Sequence, residues 1–562
     1  MKYIYIRIFV LIITSGVLFV SCKKDFLERV AQNSIADENF WKTQTDLEKG
    51  VIGVYNQLAG ESATIYMDAA SDNAYNHYQW ESTAKTMTSG DITSESNGGW
   101  GFEDIRRANK FLENYARATQ VADGVKKRMQ AEVRFLRAWF YWDKVVKFGN
   151  YPLITKTLEI EEINVPRTGR DSVVAFILSE LDAIVTDLPQ HTQVSKGRVT
   201  KGAALALKSR ILLTEASPYF NSSNNIAKWE SAANAAKAVM SLGYSLYKLA
   251  DESGVNLSDD YSKIVDFENT TDETKFRLGL RSYQTLFEYS GENNNEAIFQ
   301  RNYMNQKDIN YLNTYLPPAE LGGWSSVVPT QELINTYLNY KTAESVAPPT
   351  NSQRAEWYNK KSPEFLLEYK NRDPRMYATI MFDGNPWNNI KLNNKYTFYW
   401  IGAGGNNNSY TGYNFRKMID PVSMREQVAN YTNVILMRYA EILLNYAEAQ
   451  NEWKGPEASV YDALDQIRDR VGMPLINRTK YNTKEKLRDA IKNERRVELA
   501  LEGQRYLDIR RWKMAPQVMK PIYSVNNLLV QNRVWSDKLY YYPVPQSQMD
   551  LSKGILKQNE GY

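Results

Sequence analysis

Glu498 and Glu502 stand four residues apart in a block that runs from Glu494-Arg495-Arg496 to Arg510-Arg511-Trp512. Two carboxylates could act as an acid–base pair in hydrolysis, but that use needs a cleft around both and a raised pKa on one. The surrounding charges favour a structural reading. Arg495 is three residues from Glu498, Glu502 is three from Arg505, and Arg505 and Asp508 continue toward Arg511, a ladder that steadies a helix. The chain has one cysteine, Cys22, and two histidines, His77 and His191, in 562 residues. That excludes an intramolecular disulfide and any Cys/His cluster for zinc or haem, so a metal would need oxygen ligands. Neither histidine lies in a nucleophile motif, which leaves a Ser/His/Asp mechanism without support. No metal and no cofactor is expected.

The elements that must position these groups are mostly helical. Apolar residues recur at intervals of three and four over 45–58, 102–115, 126–148, 172–188, 200–216, 229–242, 433–452, 459–471 and 483–512. Alanines at 203, 204 and 206, then at 232, 233, 235 and 236, allow close helix pairs of tetratricopeptide logic, without a strict 34-residue period. Between these blocks lie polar, aromatic stretches at 66–100, 251–324, 341–363 and 383–416, with a short strand expected over 396–401. Loops of such length are uncommon unless functional, so function is sought there.

Lys2 and Arg7 precede an apolar run over 8–20, the layout of a secretory leader, too short to span a bilayer comfortably. The run stops at Ser21-Cys22. This junction resembles a bacterial lipobox, with Phe19 where Leu is usual. It implies cleavage after residue 21, a diacylglyceryl group on the Cys22 thiol and an acylated (palmitate-type) new amino terminus, and two lipid signals give stable anchoring. Without Lys2 and Arg7 the formal charge of +4 becomes +2, which is no nucleic-acid signature.

Further motifs extend along the chain: Arg438-Tyr439-Ala440-Glu441-Ile442-Leu443-Leu444-Asn445-Tyr446-Ala447-Glu448-Ala449, with Leu436, Ala440, Leu443 and Ala447 on one face; Asn371-Arg372-Asp373-Pro374-Arg375; Pro329-Thr330-Gln331-Glu332-Leu333; Tyr542-Pro543-Val544-Pro545-Gln546; the ending Gln558-Asn559-Glu560-Gly561-Tyr562; and the start Cys22-Lys23-Lys24-Asp25-Phe26-Leu27-Glu28. With the 494–512 block, and in this order, they resemble the SusD/RagB family of bacterial nutrient-uptake lipoproteins. The resemblance implies a mainly α fold, with four tetratricopeptide-like helix pairs, long loop excursions and few short strands. Its parts would be a leader at 1–21, an N-terminal region at 22–245 and a C-terminal region at 246–562 packed on it. It also implies a lipid-anchored protein on the outer face of the outer membrane, partnered with a SusC-like TonB-dependent transporter. Such proteins capture oligosaccharides without catalysis; peptide capture is the alternative within the family, and a surface glycoside hydrolase the alternative outside it.

A sugar offers an apolar C–H face and a rim of hydroxyls, so its site needs flat rings and a few fixed polar partners. The stretch 68–80 mixes both, and the family's sugar surface lies in this excursion and in the region before the Pro-Thr-Gln-Glu-Leu element, here Gly322-Gly323-Trp324. Trp80, Trp100 and Trp324 are the candidate stacking rings, and Asp72, Asn73 and Tyr75 the candidate hydroxyl partners. His77 is expected to be a hydrogen-bonded loop residue. Should these fail, the Asn-rich excursion over 387–413 is next in line.

Overall fold

The computed structural model describes residues 40–251, 259–392, 395–403, 405 and 407–562. Cys22 and the leader at 1–21 lie outside the described residues. The helices of eight residues or more within them are α1 (Gln44–Tyr55), α2 (Glu61–Ala69), α3 (Glu103–Asn114), α4 (Asp123–Phe148), α5 (Arg170–Ile184), α6 (Lys201–Ala216), α7 (Ile226–Met240), α8 (Thr270–Thr285), α9 (Asn351–Asn359), α10 (Tyr439–Lys454), α11 (Ala458–Arg470), α12 (Lys484–Glu498) and α13 (Gln504–Arg511). The mainly α expectation holds. Local signals set the starts: Thr43 closes a capping box with Asp46 at α1, and Thr200 accepts from the Ala203 amide at α6.

Consecutive helices pack side by side, α3 on α4, α4 on α5, α6 on α7 and α10 on α11. The alanines do as expected: Ala203, Ala204 and Ala206 of α6 and Ala232, Ala233, Ala235 and Ala236 of α7 are buried, and α7 also packs on α10. Helix α10 is the axis of the C-terminal half, with every residue from Tyr439 to Glu452 buried. Its polar side chains are matched individually: Glu441 receives Arg210, Asn445 receives Arg495, Glu448 receives Arg511 and the Trp512 indole. One continuous apolar cluster reaches from Trp41 to Leu556 and includes residues on both sides of position 245.

Among the described residues eight short strands pair two by two: β1 (Ala74–Asn76) with β3 (Val327–Pro329), β2 (Ala297–Arg301) with β6 (Val434–Arg438), β4 (Ile380–Met381) with β5 (Asn414–Phe415), and β7 (Ile522–Tyr523) with β8 (Leu529–Gln531), all antiparallel. Three expectations are corrected. Residues 434–438 are strand β6, not helix, so Leu436 does not share a helix face with Ala440. Residues 396–401 form no strand, and Thr397 makes only an isolated bridge to Pro386. The helix expected over 483–512 is broken, because α12 ends at Glu498 and Leu501 and Gly503 take positive φ of 68° and 75°. Glycine suits position 503 twice over, since a Cβ there would also lie 3.2 Å from the Thr64 carbonyl oxygen of α2. The excursion at 251–324 carries a full helix, α8, capped by Asn269 with Asp272 and Glu273 in its first turn.

Candidate functional site

The pairing of β1 with β3 lays residues 77–81 beside 324–326, two segments some 250 positions apart in sequence. The His77 amide donates to the Ser326 carbonyl at 2.9 Å, and Asn76 Nδ2 donates to the same oxygen at 3.0 Å. Glu81 ties the segments together. One carboxylate oxygen accepts from Ser326 Oγ at 2.7 Å; the other accepts from Asn76 Nδ2 and the Tyr66 hydroxyl, each at 3.1 Å. Burial raises the Glu81 carboxyl above its ordinary value, and those three donors oppose the rise. A third segment closes the arrangement: Tyr78 donates its hydroxyl to Asn407 Oδ1 at 2.5 Å, and Ser325 Oγ donates to the Asn407 carbonyl at 2.8 Å.

Rings cover this frame. His77 stacks on Tyr410 with centroids 3.8 Å apart and planes at 18°, and Trp80 lies on Tyr78 at 4.6 Å and 37°. Trp324 meets Tyr315 edge-on at 6.1 Å, and Tyr315 meets Tyr66 at 6.0 Å. Trp80 is 76% exposed and Trp324 42%, whereas indoles are usually well buried. Burial, aided by Lys85, pushes the His77 imidazole down to about 4, so it is neutral at pH 7; the hydrogen bonding expected of it lies in its backbone, while the buried ring nitrogen Nδ1 has no hydrogen-bond partner among the described residues.

The other candidates belong to the interior, and four expectations are corrected accordingly. Trp100 is only 5% exposed and packs on Phe148 at 5.0 Å and Tyr151 at 4.5 Å, plugging its loop onto α4. Asp72 is buried and takes two bonds from Arg505, at 2.7 and 2.9 Å, with Arg496 at 2.9 Å. Burial alone would raise its carboxyl, but Arg496 and Arg505 hold it well below the carboxylate range. Asn73 Oδ1 accepts from Arg496 Nε at 2.8 Å while its amide nitrogen faces Asp68. Tyr75 sits in β1 opposite Val328, buried with Ile522. The polar groups of Asp72 and Asn73 are consumed inside the fold. Residues 66, 81, 315, 407 and 410 belong to no motif that marks them individually in the sequence. Their signal was membership of the same aromatic, amide-rich excursions.

The carboxylate pair has the same fate. Glu498 meets Arg375 at 2.9 Å, Arg438 at 2.6 Å and Arg470, while Glu502 meets Arg438 at 2.7 Å and Lys417 at 2.6 Å. Burial would raise both carboxyls, yet Arg470, Arg438 and Arg375 hold Glu498 far below its ordinary value, and Arg438 and Lys417 lower Glu502. Neither can be the protonated member of an acid–base pair. The expected ladder survives at one rung, Asp508 to Arg511 at 2.8 Å; Arg495 reaches across the break to Asp508 at 2.9 Å.

The scaffold is thus one of packed helix pairs whose loops present exposed rings over fixed hydrogen-bonding groups. Comparison with known proteins gives the family. Residues 284–562 match the model described as the SusD family, and residues 25–213 match one described as starch-binding, associating with the outer membrane. A SusD-like protein of Formosa agariphila is 25% identical over 556 residues, covering 94% of each chain. A solved SusD-like protein of Bacteroides fragilis superposes with a TM-score of 0.76 at 28% identity, covering 94% of this chain and 99% of that one. A SusD-like carbohydrate-binding protein of the same species gives 0.73 at 24% identity over 92% and 99%. The chain belongs to the SusD/RagB family.

Proposed function

We propose that this protein is a non-catalytic glycan-binding lipoprotein that captures oligosaccharides on the Trp80/Trp324 surface and delivers them to a SusC-like TonB-dependent outer-membrane transporter. The observation that carries the reading is the pair of exposed indoles set around a polar frame of Glu81, Asn76 and Asn407, which matches the two faces of a sugar ring. Support comes from the starch-binding description of the matched family model and from the carbohydrate-binding relative of known structure. The non-catalytic reading is supported by Glu498 and Glu502, the carboxylate pair weighed for hydrolysis, being locked to cations. Lipidation at Cys22 would hold the protein at the outer membrane, facing the cell surface. Tethering beside the barrel raises the effective concentration of lid at transporter.

Incubation with candidate polysaccharides tests the reading directly: retardation in affinity electrophoresis without release of reducing ends is the expected result, and release of reducing ends would overturn it. Cys22→Ala should abolish lipid labelling and free the protein from the membrane. Affinity purification from native membranes should recover a large TonB-dependent barrel, and repeated recovery of the chain alone would remove the transporter from the proposal.

A further inference from the structure

A second cavity, of about 640 Å³, lies away from the exposed rings, between the end of α1, the first half of α4, the 193–198 loop and strand β2. Its size falls within the range of small-molecule sites. Its charge is unbalanced. The walls carry Arg128, Lys196, Arg198 and Arg301 against only Glu132 and Asp308. Glu132 is shared by two guanidinium groups, Arg198 at 3.1 Å and Arg128 at 3.5 Å, while Asp308 serves Arg301 at 3.2 Å. Half-buried Lys196 has no carboxylate partner among the described residues.

Arg198, Arg301 and the backbone that carries Lys196 are held in place before any ligand arrives. The Tyr55 hydroxyl donates to Glu132 at 2.8 Å and accepts from the Val199 amide at 2.7 Å, and Arg198 lies over the Tyr55 ring. Arg301 donates through Nε to the Leu58 carbonyl at 3.1 Å and covers the Tyr303 ring at 4.2 Å. The loop bearing Lys196 is pinned to the strand side, where Asn302 Nδ2 donates to the Lys196 carbonyl at 2.9 Å. Next in the chain, Gly197 has φ of +90°, and a Cβ there would lie 2.4 Å from the Asn302 amide nitrogen. A rigid wall with surplus positive charge is preorganised for an oxyanion. Gln193, Ser195 and Asn302 on the same walls provide neutral hydrogen-bonding groups suited to hydroxyls.

We propose that this cavity is a second ligand site, which receives the carboxylate or sulfate ester of an acidic saccharide with Lys196 as its principal counter-charge. Burial lowers the Lys196 ammonium from its ordinary value with no anion to offset it, so a bound oxyanion would relieve a cost already present in the fold. The inference rests on the glycan reading for the saccharide and on the cavity alone for the charge.

Calorimetric titration of the full chain with tetragalacturonate, galactose 6-sulfate and maltotetraose tests it. The two acidic probes separate carboxylate from sulfate, and binding of either one supports the site. The expected result is binding that weakens with salt and falls by about tenfold in Lys196→Gln, the scale of one charge-assisted hydrogen bond. Lys196→Arg should restore it, with circular dichroism and melting unchanged in both variants. Failure of both acidic probes to bind the parent, or unchanged affinity in Lys196→Gln, overturns the site. Loss of the acidic probes in Trp80→Ala but not in Lys196→Gln also overturns it, assigns them to the exposed rings and leaves the proposed function standing. A protein that binds no neutral glycan yet holds galactose 6-sulfate through Lys196 would overturn the reading of the rings and leave this site intact. Equal, Lys196-dependent binding of maltotetraose would overturn the selectivity for acids.

Discussion

Around Glu498, charges are buried and each carboxylate meets guanidinium groups from several elements; around Trp80, rings stand in water on loops whose polar groups are already fixed. The first region joins Arg375, Arg438 and Arg470, drawn from three distant parts of the chain, onto one side chain. The second joins three loops through Glu81 and Asn407 and leaves its indoles uncovered. The contrast reverses a common intuition about which residues act. Charged groups here are structural because each is paired with opposite charge inside the fold, and apolar rings are the candidates for function because they stand uncovered.

The largest effect should come from breaking the charged region. Glu498→Ala takes one carboxylate from each of three buried guanidinium groups and leaves Arg470 with Glu296 at 3.4 Å, which should cost about 3–5 kcal/mol, read as a lower urea midpoint. Trp100→Ala should cost a similar amount, about 3–5 kcal/mol, by leaving a cavity against Phe148 and Tyr151, while the folded fraction keeps its ligand affinity. Retained stability in Trp100→Ala would erase the distinction between plug and surface ring.

Acid should also act on the charged region. Glu498, Glu502 and Asp72 have folded pKa values below their unfolded ones, so their stabilisation is present above about pH 4.5 and is lost as pH falls through the folded values. Asp68 and Glu288, each pushed up to about 7 by burial, have the opposite sign: their contribution is full below the unfolded values and is lost as pH rises through 7. Melting temperature plotted against pH should therefore peak on the acid side of neutrality. Asp68→Asn should flatten the neutral limb, and an unchanged limb would remove Asp68 from this account.

The smallest effects on stability, and the sharpest on binding, belong to the exposed rings. Trp80→Ala and Trp324→Ala should each weaken glycan binding by about 1–3 kcal/mol and change stability by no more than about 0.5 kcal/mol. Full affinity in both folded variants would move the glycan elsewhere, first to the Asn-rich excursion.

The helices were legible because burial on one face imposes a 3.6-residue period, and α1, α4, α6 and α7 carry that period without interruption. The break at 499–503 was hidden because the charge spacing of 494–511 continues through it, although Asp508 is in fact bonded from Arg495 across the gap. Helix α8 was missed in a polar stretch, and its sequence signal was the Asn269 cap with two acids behind it. Sequence located the aromatic excursions and could not sort their rings. Trp80 and Trp100 have similar polar neighbours in the chain; what separates them is Phe148 and Tyr151, some fifty residues away, waiting for one and not the other.

The ladder between β1 and β3 sets the order in which the surface bearing Trp80 and Trp324 can exist. Residues 74–76 must wait for 327–329, and Tyr78 must wait for Asn407, before any ring has its support. Closing loops of that length is a late and costly event for a folding chain. The surface is therefore a property of the whole polypeptide. A truncated N-terminal fragment would carry Trp80 without its frame.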